Sequence, residues 1–245
     1  MSIWGKIIGG TAGFALGGPI GAILGVMVGG SFDRTAKRFT NTTQIPHQHK
    51  QNIFALSIII LSAKIAKADG QVTKDEIYAF KEKFKIPKKE MSEVGRIFNE
   101  AKKSKDGYKQ IANQIGSLFS GNKVLLEELL NNLFFIAESD GDTSLYEIEV
   151  LKSISNSFGL SEYDFQRISH SRLNNRDSDP YKVLGVNRED NDSIIRKKWI
   201  QLNKEHHPDH LIAKGMPQEF IDQANNELSA INLSYDKIKK QRDIN

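Results

Sequence analysis

The sequence predicts an all-α protein in three parts, and three observations carry that prediction. A glycine recurs every fourth residue near the N-terminus, apolar residues recur at helical spacing from about residue 50 onward with few strand signals, and one helix-turn-helix pattern occurs twice. With 245 residues, 39% of them apolar, the chain can build one large core or two small ones. The net charge of +4 is small for this length, and the basic residues are scattered, so no run suited to nucleic acid is present. Cysteine is absent, which excludes disulfides, thiolate zinc sites and thiol catalysis and fits a reducing compartment.

The first element is a glycine ladder at Gly5, Gly9, Gly13, Gly17, Gly21, Gly25 and Gly29. Each glycine costs a helix about 1 kcal/mol relative to alanine in water, so the segment should not hold a helix there by itself. From Ile7 to Phe32 no residue is charged, and as a helix those residues span about 39 Å, against about 30 Å of bilayer hydrocarbon. In lipid the backbone has no water to bond and helix becomes nearly obligatory. Glycines four apart form a slowly wrapping groove without side chains, which predicts a transmembrane helix that self-associates through Gly9, Gly13, Gly17, Gly21, Gly25 and Gly29, as a homodimer, with a kink at Pro19. A cleaved signal peptide and an interfacial glycine hairpin are the competing readings. Lys6 alone precedes the apolar run whereas Arg34, Lys37 and Arg38 follow it, so a single-pass anchor would put the C-terminal side in the cytoplasm.

After a polar linker, the line "IAKADGQVTKDEIYAFK" from Ile65 overlays "IAESDGDTSLYEIEVLK" from Ile136. The apolar runs "IFALSIIILSAKIA" and "VLLEELLNNLFFIA" suit buried helices ending at Gly70 and Gly141. Thr73 with Glu76, and Ser144 with Glu147, then supply the S/T-x-x-E box that starts the next helix. Between the copies, "GYKQIANQIGSLF" adds an amphipathic helix. From Lys50 to Asp106 there are 13 basic and 8 acidic residues, and from Gly107 to His170 there are 4 and 9, so the halves differ in charge. Surfaces for different partners and ordinary solvated faces both fit that difference. Asp69, Asp140, Asp142 and Glu147 offer oxygen ligands for a divalent cation, but their spacing lacks the D-x-D-x-D-G ladder of a calcium loop, and turn capping accounts for them better.

A second polar stretch leads to "DPYKVLGVNREDNDSIIRKKWIQLNKEHHPDHLIAKG". Asp179 can cap a short helix starting at Pro180, with Tyr181, Leu184 and Val186 for a core and Gly185 closing the turn. Asp192 or Ser193 can cap the next helix, in which Ile194, Ile195, Trp199 and Leu202 form an apolar stripe and Arg196, Lys197, Lys198 and Lys204 a basic face. His207 before Pro208 is biased out of the helix, so the chain must turn there. A third helix follows, with Phe220, Ala224, Leu228, Ile231, Leu233 and Tyr235 inward and Glu219, Asp222, Glu227 and Asp236 among its acids. The two long helices should pair antiparallel, one basic outward and the other acidic. The expected layout is an anchor over 1–38, a linker over 39–49, an all-helical domain over 50–168, a linker over 169–178 and a helical hairpin over 179–245.

The paired "ADGxVTxxE" and "SDGDxSxxE" turns resemble the TerB-like domain, an all-helical module, which implies an interaction role responsive to a cation or client and no transferable chemistry. "YKVLGV", "IIRKKWIQL", His207-Pro208-Asp209 and "AINLSY" together resemble a J domain. Anchor, TerB-like middle and terminal J domain in one chain resemble the DjlA-like family of membrane-anchored DnaJ-like cochaperones. That resemblance implies a partner of the DnaK type, whose ATPase is stimulated at the cytoplasmic face of the inner membrane, with the N-terminus periplasmic. His207, Pro208 and Asp209 would form the triggering loop, while Arg196, Lys197, Lys198 and Lys204 would hold an acidic docking surface. It further implies no enzyme activity, no cofactor, and a setting in envelope stress or capsule regulation. Two other readings remain: a membrane adaptor whose middle domain binds a client or cation, and an enzyme using His206, His207, Asp209 and His210 as metal ligands or acid/base groups.

Overall fold

The computed structural model describes residues 2–10, 20–21, 47–68, 80–82, 84–104, 107–138, 143–173 and 178–243. Among these every regular element is a helix: α1 (Ile3–Gly10), α2 (His47–Ala68), α3 (Met91–Lys103), α4 (Tyr108–Leu118), α5 (Lys123–Ala137), α6 (Leu145–Ser157), α7 (Glu162–Leu173), α8 (Pro180–Leu184), α9 (Asp192–Glu205), α10 (Pro208–Lys214), a 3-10 turn (Gln218–Phe220) and α11 (Ile221–Arg242). Gly13, Gly17, Gly25 and Gly29 lie outside the described residues, as do Pro19 and the first Asp-Gly turn with Asp69, Gly70, Thr73 and Glu76. The second turn, with Asp140, Gly141 and Asp142, also lies outside them.

Helix α2 is the axis of the larger core. Residues 52–65 are buried on every side, as a helix apolar all round requires, and α1, α3, α4 and α5 pack around it. Its two interior hydroxyls are satisfied within the helix: Ser57 and Ser62 donate to the carbonyls of Ile53 and Ile58 at 2.7 and 2.6 Å. Helices α5, α6 and α7 complete the bundle. Ser144 and Glu147 make the expected capping box at the start of α6, with Glu147 N donating to Ser144 Oγ at 3.2 Å and Ser144 N to Glu147 Oε2 at 2.8 Å. Helices α4 and α6 meet closely at Gly116, where a Cβ would stand 2.6 Å from the Ser157 carbonyl oxygen.

Helices α9 and α11 run antiparallel, as the pattern predicts, with Trp199 against Tyr235 midway and Asp192 paired with Arg242 at one end. Tyr181, Leu184, Val186, Ile195, Leu202, Ile231, Tyr235 and Ile238 form their small core. Three details differ from expectation. Asn191, one residue earlier than expected, caps α9 by accepting from Ile194 N at 2.9 Å. Ile194 and Leu233 are 47% and 62% exposed, because the inward stripe of α9 follows Ile195, Trp199 and Leu202 at i, i+4 and i+7, and Ile194 lies one position off it. Glu227 is buried rather than part of an outward acidic face.

The two cores touch. Leu211, Met216, Phe220, Ile221 and Ala224 belong to the core of the helical bundle, where Phe220 packs on Phe54 and Phe84 with centroids 5.2 and 5.0 Å apart. Helix α1 joins the same cluster: Ile3, Trp4 and Ile7 are buried, Trp4 lies 5.8 Å from Phe220, and Ile3 N donates to Glu219 Oε1 at 2.6 Å. The described part of the glycine ladder therefore packs on protein. An aromatic core and a bilayer ask the same apolar face of a helix, and periodicity does not separate them. No helix among the described residues is long and apolar enough to cross a membrane.

Candidate functional site

The bend between α9 and α11 places His207-Pro208-Asp209 on the surface. Helix α9 ends where His206 N still donates to the Leu202 carbonyl at 2.9 Å. Pro208 has no amide to continue the ladder and holds His207 in an extended conformation, φ −63° and ψ 132°. His207 then becomes the cap of α10: its Nδ1 accepts from Asp209 N at 3.2 Å, and Pro208 occupies the first helical position, where a missing donor costs nothing. The side chains of His207 and Asp209 are 55% and 90% exposed, with 3.8 Å between Nδ1 and Oδ2. An imidazole and a carboxylate thus stand in solvent at the tip of the hairpin.

On α9, Arg196, Lys197 and Lys204 are exposed and form a cationic face beside the bend. Lys198 departs from it. It is half-buried, and its Cε would lie 3.9 Å from a Cβ built on Gly185, so it covers the α8 turn rather than the basic face. Ile200, 51% exposed, sits among the cations. Trp199 packs between the helices as expected, stacked on Tyr235 at 4.3 Å with an interplanar angle of 7°, and its Nε1 donates to Asn232 Oδ1 at 2.8 Å.

Behind the bend lies a buried ionic cluster that the sequence did not announce. His206 turns inward, 1% exposed, and faces two adjacent carboxylates of α5: Nδ1 bonds Glu128 Oε1 at 2.8 Å, and Nε2 stands 3.1 Å from Glu127 Oε2 without the alignment of a hydrogen bond. Arg167 of α7 bridges the halves, bonding Glu127 at 2.8 Å and Glu227 of α11 at 2.7 Å. Ser171 Oγ also donates to Glu227, at 2.8 Å, and Lys123 pairs with Asp164 at 2.8 Å and Glu127 at 3.6 Å. Burial opposes charge on His206, but the contacts with Glu127 and Glu128 outweigh burial and the repulsion of Arg167, and its pKa rises to about 9. Burial likewise opposes charge on Glu127, yet Arg167, His206 and Lys123 hold its carboxyl well below the usual range.

The clue in the sequence was Glu127-Glu128 inside "VLLEELLNNLFF", where leucines on both sides leave little room for two acids to face water. Beyond Lys123 and Asn131 within one helical turn, their partners lie 40 and 78 residues away, outside any local pattern.

The residues proposed for metal or acid/base work do not converge. His206 faces the interior while His207 and Asp209 face solvent, and no described residues form a group of three or more His, Asp or Glu side chains placed for a metal ion. Glu147, of the four cation candidates the one described, is engaged in its capping box. Of the ladder glycines, Gly5, Gly9 and Gly21 are described, all helical.

Comparison with known proteins follows this layout. Residues 55–170 match the family model described as tellurite resistance protein TerB, and residues 1–44 the model described as the co-chaperone DjlA transmembrane domain. The chain is similar to the co-chaperone protein DjlA of Coxiella burnetii, 29% identical with 99% of each chain covered. It is also similar to those of Photobacterium profundum, 26% identical over 98% of this chain and 99% of the relative, and Legionella pneumophila, 26% over 96% and 94%. No solved structure matches. The match over residues 1–44 supports a membrane location.

Proposed function

From a chain that is DjlA-like along its whole length, we propose that it is a membrane-tethered J-domain cochaperone, not an enzyme, that recruits a DnaK-type chaperone and stimulates its ATPase. The observation that carries this reading is the exposed His207 and Asp209 at a proline-fixed bend, beside the cationic face of Arg196, Lys197 and Lys204. Cations on a helix steer an acidic surface into register, and the bend then offers a carboxylate and an imidazole to the partner. Lys198, turned toward α8, would contribute less to docking than its neighbours.

In this reading the glycine ladder would hold the protein in the inner membrane as a single-pass anchor and homodimer, with the N-terminus periplasmic, residues beyond Arg38 cytoplasmic and no bound cofactor, and its insertion would draw α1 out of its seat against Phe220 and Glu219. Envelope stress or capsule regulation is the setting that this reading implies. The test is single-turnover ATP hydrolysis by a DnaK-type chaperone with the full chain in vesicles. The wild type should accelerate hydrolysis, and His207→Gln should abolish the acceleration with helicity unchanged. Acceleration that survives His207→Gln would reject the role of the bend.

A second role, for the middle domain as a client-binding adaptor, is favoured by Leu145 and Tyr146, 84% and 45% exposed at the start of α6. Photocrosslinking from position 145 should then capture a protein that Leu145→Asp releases.

A further inference from the structure

The residue immediately before the exposed tripeptide is the most deeply held polar group of the C-terminal hairpin. His206 is 1% exposed and meets Glu128 at 2.8 Å and Glu127 at 3.1 Å, both on a helix of the middle domain. The other end of the loop is fastened to the same domain. Leu211 and Met216 lie in its core, Gln51 Nε2 reaches the Met216 carbonyl at 3.4 Å, and Gly215, at φ +117°, abuts Lys50 so closely that a Cβ would stand 2.8 Å from the lysine Cβ. Between these two anchors, His207, Pro208 and Asp209 have one path. We propose that Glu127 and Glu128 are positioning residues for the His207-Pro208-Asp209 loop, holding it through His206, so that the middle domain sets how the hairpin presents its bend to a chaperone partner.

This rests on the cochaperone reading for its consequence, not for its geometry. A hairpin held only by its own small core would have a bend free to move about the end of α9. Here the bend is fixed from outside by a buried charge-assisted contact, and removing one partner of such a contact leaves the other uncompensated. Glu128 is the cleaner probe, because Glu127 also serves Arg167 and Lys123.

The test compares wild type, Glu128→Ala, Glu128→Gln and the surface control Glu162→Gln in the full chain, with two readouts. Hydrogen exchange at the amides of Leu211, Gly215 and Met216 reports the loop, referenced to the amides of α2. Single-turnover hydrolysis by a DnaK-type chaperone reports the maximum acceleration and the concentration that gives half of it. In Glu128→Ala, loop exchange should rise about tenfold with α2 unchanged. Maximum acceleration should fall by a similar factor while the half-saturating concentration holds, since the basic face of α9 is intact. Glu128→Gln, which keeps an acceptor for Nδ1, should recover part of both, and Glu162→Gln should match wild type. Unchanged loop exchange in Glu128→Ala, or exchange rising equally in loop and α2 in both Glu128 variants, would overturn the proposal. If wild type does not accelerate hydrolysis at all, the cochaperone reading fails and loop exchange alone decides this inference.

Discussion

At the scale of single residues, Arg167 and His206 join the middle domain to the C-terminal hairpin. Arg167 is 3% exposed between Glu127 and Glu227, and its removal would leave two carboxylates facing each other in the interior. Arg167→Met should therefore destabilise the protein by about 3–5 kcal/mol, read as a lower urea midpoint, whereas an exposed pair such as Lys152 with Glu162 should be worth well under that. His206 gives the cluster a pH dependence with a definite sign. Its folded pKa of about 9 lies above the ordinary 6.5, so its contribution is complete below about pH 6.5 and is lost as pH rises through about 9. Glu127 and Asp164 are shifted down, so theirs is present above the ordinary carboxylate range and is lost on acidification. Urea midpoints measured against pH should fall on the alkaline side in wild type, and His206→Gln should flatten that limb. Of these partnerships only the i, i+4 pair of Lys123 with Glu127 is legible in the sequence. The acids of an apolar helix announce that something must meet them, and only the tertiary path of the chain says what.

At the scale of elements, the local chemistry of helix ends is legible in the sequence, and the facing of a helix is less so. Asp179 with Pro180 starts α8, Ser144 with Glu147 starts α6, and His207 before Pro208 ends α9, because each signal acts within four residues. Ser144→Ala should cost about 1 kcal/mol by the same urea measurement. Ile194 and Leu233 lie off the inward stripes of Ile195, Leu202 and of Ile231, Tyr235, Ile238, Lys198 is drawn over the α8 turn, and Glu227 is buried because the middle domain packs on the hairpin there through Arg167. Gly116 shows the same limit. Nothing in "NQIGSLF" reveals that Ser157 of α6 approaches its backbone, yet Gly116→Ala would push a Cβ against a carbonyl with no flexible end to yield. That substitution should lower the thermal midpoint by several degrees, since about 1 kcal/mol shifts the midpoint of a domain of this size by about 2–4 °C.

At the scale of the whole molecule, the all-helical class could be read from the chain, but the junction between middle domain and hairpin could not. The polar stretch around 169–178 reads as a linker, while Leu211, Met216 and Phe220 bury themselves in the bundle core 40 residues later. Phe220 touches both Phe54 and Phe84, so Phe220→Ala should cost about 3–5 kcal/mol and loosen the junction. With a shared core and a buried ionic cluster spanning the join, tryptophan fluorescence, from Trp4 in the bundle and Trp199 in the hairpin, and far-ultraviolet circular dichroism should report one coincident unfolding transition. Helices that need each other's surfaces unfold together, and a rigidly carried bend is what a tethered cochaperone would present to its partner. The most direct test titrates the full chain, in vesicles, into an ATP-loaded DnaK-type chaperone and follows single-turnover hydrolysis. The account predicts saturable acceleration that weakens with added salt and vanishes in His207→Gln; acceleration of equal size in that variant, or none from the wild type, would contradict it.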